Sequence, residues 1–146
     1  MAITSAICNS FKQEILEAEH NFTATTGNTF NLALYTSSAT LGAGTTAYTS
    51  TEEITNTSGS AYSAKGKALT SVTPTLDSST AVCDFADVSW TSASFTANGC
   101  LIFNDSHTGD AAVCEIDFGG DKTVSSGTFT IQFPAAAATT AIIRIA

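Results

Sequence analysis

The sequence predicts a mainly β domain: an antiparallel β-sandwich or partly closed barrel of about 7–8 strands with one N-terminal α-helix. Three observations carry this. Ser and Thr make up nearly three residues in ten; Thr favours strands and Ser favours turns. Short apolar-polar alternations recur along the chain, split by Gly, Asn, Asp and Ser. Apolar residues at helical spacing occur once, near the N-terminus. With 146 residues, a single domain over 1–146 is expected, large enough to hide roughly 68–70% of its unfolded surface.

Taken in order, Ser5 as N-cap and Ile7, Phe11, Ile15 and Ala18 at spacings of four and three predict a helix over about 5–20. Thr25-Thr26-Gly27-Asn28 reads as a turn, and a β domain is expected over about 29–146. Phe30, Leu32 and Leu34 alternate with Asn31, Ala33 and Tyr35 as a strand. A Ser/Thr-rich stretch over about 36–67 reads as an exposed excursion or a pair of short edge strands; loops of this length are usually functional or mobile. Ala68 to Thr73 is expected to be a strand ended by Pro74, with a turn at Leu76 to Ser79. Thr80–Trp90 and Phe95–Phe103 are expected as strands on either side of a short break. Asn104 to Asp110 (NDSHTGD) is a polar loop, and Ala111–Phe118, Thr128–Phe133 and Ala141–Ile145 are the last strands.

Charge excludes several classes. The net charge is −8 with 5 basic residues, and Lys12, Lys65, Lys67, Lys122 and Arg144 are scattered. Nucleic-acid binding, which needs clustered cations, is not expected. No run approaches the ~18 apolar residues of a membrane span, and the start of the chain lacks a secretory pattern. Cys8, Cys83, Cys100 and Cys114 are far apart without a C-x-x-C, so neither a disulfide framework nor a zinc site is expected.

The stretch CEIDFGGDKTVSSGTFTIQFP holds a double glycine followed by Asp and Lys-Thr. A phosphate-binding loop needs G-x-x-x-x-G-K-[ST] leading into a helix. Here the glycines are adjacent, and Phe129, Ile131 and Phe133 alternate as a strand. Gly119-Gly120 and Ser126-Gly127 therefore read as turns in a connection between two strands. Asp105, His107 and Asp110 could in principle hold a metal or supply a base, but they lack a second ligand cluster and read as a solvated loop. Glu52-Glu53 and Asp84 with Asp87 read as surface charge. Cys83, Cys100 and Cys114 read as small buried hydrophobes. Trp90, Phe95, Phe103, Phe118, Phe129 and Phe133 read as core. Tyr35, Tyr48 and Tyr62, in or beside the Ser/Thr-rich stretch, are the candidates for an exposed interaction surface. No catalytic residue, metal ligand or cofactor is assigned, and the chain is read as a non-enzyme.

TSAICNSFKQEILEAEHNFT, FNLALYTSSATLGAGTTAYT, FGGDKTVSSGTFTIQFP and the ending AIIRIA together resemble a family of small virion proteins of tailed phages, frequent in cyanophages and other aquatic phages. The resemblance covers nearly the whole chain. It implies a structural virion component, made and assembled in the host cytoplasm: a capsid decoration or cement protein stabilising the head lattice. A tail, baseplate or fibre part with glycan-binding loops is the alternative. It also implies a homo-oligomer, with a trimer as the guess, and the major capsid protein as partner. A free-standing carbohydrate-binding domain is a third reading.

Overall fold

A computed structural model describes residues 2–146. In chain order the elements are β1 (Ala6–Ile7), α1 (Asn9–Leu16), β2 (Phe30–Tyr35), β3 (Lys67–Ala68), β4 (Ser71–Asp77), β5 (Thr80–Phe85), β6 (Val88–Asn104), β7 (Ala111–Ile131) and β8 (Ile143–Ile145). They form two antiparallel sheets, one in the order β1-β7-β6-β2-β3 and one in the order β4-β5-β8. The sheets do not close into a barrel, so of the two expected architectures the protein adopts the sandwich-like one.

The middle of the large sheet is covered on both faces. β2 and the run Cys100–Asn104 of β6 are almost wholly buried, which explains why Ala33, Tyr35, Leu101 and Phe103 on the second face are apolar too. On one face Phe30 meets Phe22 and Phe85, at centroid distances of 4.3 and 5.9 Å; Phe22 in turn meets Phe11 of α1. On the other face Tyr48 packs on Phe103, and the Ile3 side chain fills the space over Gly99.

Five local expectations are corrected. The helix is shorter than 5–20 because residues 6 and 7 pair with Glu115 and Cys114 instead. Ser5 is not its N-cap; its hydroxyl accepts the Asp117 N–H. The strand expected over Thr80–Trp90 is broken at Ala86–Asp87, where the chain leaves the small sheet and enters the large one. Asp87 fixes this corner by accepting the Phe133 N–H. Pro74 does not end a strand but lies inside β4, where a bulge between Val72 and Thr75 on an edge strand accommodates its missing N–H. Finally, Ala111–Phe118 and Thr128–Phe133 are not two strands joined by turns. β7 is continuous to Ile131 and pairs with β6 along its length.

Gly119-Gly120 is therefore a bend within a strand. From Asp117 to Lys122 β7 takes five steps while β6 takes two, Gly99 to Ala97, which leaves three surplus residues on β7. Gly119 and Gly120 have φ of +70° and +131°, where a Cβ is disfavoured. Eleven residues of straight strand would span about 36 Å, yet the Phe118 and Phe129 rings lie 6.3 Å apart. The bulge folds the strand back on itself.

Gly66 meets a harder constraint. Its φ is +66°, and a Cβ there would lie 1.8 Å from the Leu32 carbonyl oxygen. The backbone after the Ser/Thr-rich stretch must approach this closely to start β3 against β2. Gly66→Ala is expected to destabilise the fold by about 3 kcal/mol or more, whereas Gly44→Ala, which meets nothing within 4 Å, should stay within about 0.5 kcal/mol of the parent. Urea unfolding of the two variants beside the parent checks this.

Candidate functional site

The Ser/Thr-rich stretch is ordered by one buried carboxylate. Glu53 is 8% exposed. Its Oε1 accepts the Tyr62 hydroxyl and the Lys65 backbone N–H, both at 2.7 Å, and its Oε2 accepts the Tyr48 hydroxyl at 2.5 Å. The Tyr62 hydroxyl also accepts the Leu34 N–H at 2.9 Å. A tyrosine side chain thus closes a gap in the hydrogen bonding of the β2 edge. On either side of it, the Leu34 carbonyl takes the Ile54 N–H and the Thr36 N–H donates to the Glu52 carbonyl, so residues 52–54 complete that edge. Tyr35 donates its hydroxyl to the Thr49 carbonyl at 2.6 Å.

Burial first, then the neighbouring carboxylate, makes these phenols hard to ionise. Tyr48 is pushed up to about 12 by burial and its bond to Glu53. Tyr62 and Tyr35 are pushed further up by burial, with Glu53 adding to it. They are uncharged hydrogen-bond donors, not nucleophiles or bases.

The NDSHTGD loop joins the same assembly. Lys65 Nζ lies 3.0 Å from Asp105 Oδ1 and 2.8 Å from Asp110 Oδ2, over the rings of Tyr48 and Phe103. Those two carboxylates raise the Lys65 pKa. His107 faces Glu19 at 3.4 Å and stacks near-parallel on His20, with centroids 6.3 Å apart. Buried His20 accepts from Asn104 Nδ2 through Nδ1, which leaves its proton on Nε2, 2.8 Å from Glu14. The loop is largely exposed, and within it Asp105 and Asp110 act as a clasp on Lys65. Among the described residues no group of three or more His, Cys, Asp or Glu side chains is placed to hold a metal ion.

A second buried carboxylate, Glu115, is 1% exposed. The Cys8 thiol donates to its Oε1 at 3.2 Å, while Oε2 has no hydrogen-bond partner among the described residues. Burial raises its pKa, and the Cys8 and Thr45 contacts only partly offset this. All four cysteines are buried free thiols. Burial pushes Cys83 and Cys100 up to about 12 and raises Cys8 and Cys114 as well. None has the depressed pKa and exposure of a reactive thiol.

The inside of the β7 bend forms an apolar groove of about 790 Å³, whose walls include Ile7, Ile116, Phe118, Phe129, Phe133 and Ile142. These six are half-buried. Lys122 stands on its rim.

Of the aromatics expected in the core, Trp90, Phe95 and Phe103 are buried, while Phe118, Phe129 and Phe133 line this groove. Of the three tyrosines expected to be exposed, Tyr35 and Tyr62 are 0% and 1% exposed, and Tyr48 is half-buried. The reason is Glu53, read from sequence as surface charge, whose burial draws the Tyr48 and Tyr62 hydroxyls inward. No spacing signal pairs Glu53 with Tyr62 or Lys65; an acidic residue beside Ile54 in a segment with few charges was the one hint. Comparison with protein-family models, curated proteins and solved structures gave no match.

Two outcomes follow from the buried carboxylates. Tyr62→Phe strands the Leu34 N–H and removes one donor to Glu53, so a loss of about 2–3 kcal/mol is expected in denaturant unfolding. For Glu115 the folded pKa lies above the ordinary 4.5, so the folded state holds the proton more tightly. Its contribution to stability is full below pH 4.5 and is lost as pH rises through the folded value. Glu115→Gln should therefore be more stable than the parent at neutral pH, with the difference shrinking towards pH 4; unfolding midpoints measured across that range decide it.

Proposed function

We propose that this chain is a non-enzymatic structural protein of a tailed-phage virion, a decoration or cement protein that stabilises the head lattice with the major capsid protein as partner. The observation that best supports this is the engagement of its candidate chemical groups in internal scaffolding. Glu53 is held by two tyrosines and a backbone amide, Asp105 and Asp110 by Lys65, and the thiols are buried. What faces outward is largely Ser and Thr on strands and well-pinned loops. A lattice clamp needs this kind of body: rigid, weakly reactive and able to present strand edges for main-chain pairing. The acidic net charge suits a more basic shell surface.

The alternative, a tail or fibre part reading host glycans, rested on exposed tyrosines in the Ser/Thr-rich stretch. Two of the three are buried, and the Tyr48 hydroxyl is engaged with Glu53. Supporting that alternative now requires another sugar-stacking surface.

Cryo-electron microscopy of the intact particle tests the proposal. Density matching this fold is expected on the head lattice in many copies. Density confined to the tail would transfer the chain to attachment or assembly, and absence from the particle would end the virion reading.

A further inference from the structure

We propose that the free edge of β7 is a self-association surface, on which two copies of this chain pair antiparallel about a two-fold axis. This rests on the fold alone and stands whether or not the protein belongs to a virion.

The edge is open. β1 pairs only with Cys114 and Glu115, so among the described residues no strand lies beyond β7 from Ile116 to Ile131. The core is open on the same side. On β6 the inward row Val88, Trp90, Ala93, Phe95 and Ala97 is buried. Of its register partners on β7, Ile131, Phe129, Gly127 and Val124 are only half-buried and Lys122 is exposed. Burial falls off across one strand spacing, and the apolar groove lies where it falls. An interior is normally covered on every side.

Charge selects the occupant. The chain carries a net charge of −8, so two copies repel over most of their surfaces. From Thr123 to Ile143 there is no Asp, Glu, Lys, Arg or His. A two-fold strand pairing sets this segment against itself, where any charge would face its own like. A charged partner, by contrast, would call for complementary charges along the edge, and from Thr123 onward it has none; Asp117, Asp121 and Lys122 all lie at the bend before it. The other sheet edges carry features that discourage pairing. β4 holds Pro74 and Asp77, β3 holds Lys67, and β8 is three residues long with Arg144 at its centre.

Size agrees. The edge from Thr123 to Ile131 is about 26 Å long. Pairing alone covers less than the ~800 Å² per copy of a stable interface; the groove walls beside it supply further apolar area. Paired this way, two large sheets become one continuous sheet.

The test is the molar mass of the full chain, by light scattering after size exclusion at micromolar concentration, for the parent and three variants. Thr128 on this edge and Gln132 just past its end are exposed. The parent should be a dimer. T128K/Q132K and T128E/Q132E should each be monomeric with an unchanged circular dichroism spectrum, and their equimolar mixture should recover the dimer. L76K, on an exposed residue of β4, should remain dimeric. A monomeric or trimeric parent, or a dimer that survives both double substitutions, overturns the proposal. If the double variants fail to fold, hydrogen exchange of the parent decides instead. Those amides of 123–131 that point away from β6 should lose protection on dilution while those of β2 keep it; protection of these edge amides that does not depend on concentration overturns the proposal.

Discussion

A carboxylate taken out of water is the constraint on which the middle of this chain depends. Removing Glu53 from solvent without partners would cost several kcal/mol, so the fold must deliver donors to it. It delivers three, from residues 48, 62 and 65, and each fixes a different point of a segment with no regular structure of its own. Once Tyr62 is held there, its hydroxyl is in place for the Leu34 amide. Once Lys65 is held, its ammonium reaches Asp105 and Asp110, and Gly66 can turn the chain into β3. A polar stretch of low complexity thereby becomes one wall of the domain.

The second organising feature is a mismatch of strand lengths. β6 and β7 are the longest elements, and uninterrupted pairing would give a straight ribbon too long for a domain of this size. The three surplus residues of β7 at the double glycine, with smaller register shifts near Ala93, Phe95 and Ile102, bend the ribbon so that its far half turns inward. Trp90 and Phe95 then reach Tyr62, with centroids 6.1 and 6.0 Å from its ring, which ties the ribbon to the Glu53 assembly. The bend leaves its inner wall incompletely filled, and the groove is the result.

Fold class was legible in the sequence because it depends on local period and turn chemistry, which composition and alternation report directly. β2, β5 and the apolar half of β6 were found on that basis. What was not legible depends on long-range partners. A helix start at Ser5 obeys the local rules, yet Ala6 and Ile7 are captured by a strand more than a hundred residues away. Gly119-Gly120 is a sound turn signal, and a bulge uses the same positive φ, so the sequence does not separate them. The clasp of Asp105 and Asp110 on Lys65 was not visible because Lys65 lies forty or more residues off in sequence. Glu53 looked like surface charge because nothing local marks an acid whose partners are two tyrosines and a main-chain amide.

The pairing of β1 with β7 also bears on how the chain reaches this structure. The Cys8–Glu115 contact spans 107 residues, and the small sheet is completed only by β8, at residues 143–145. The β6–β7 ribbon closes through a six-residue loop and can form early. β1 and β8 find their places only after the segments between them exist. Contacts of such sequence separation slow folding, because the entropy of closing the large loop is lost before the contact gives anything back. A nascent chain would therefore hold a formed but uncovered ribbon, with Trp90 and Phe95 exposed, until residues 143–145 have been made and can add β8. The charge-free run after Lys122 is then the part of the polypeptide most prone to aggregate during synthesis.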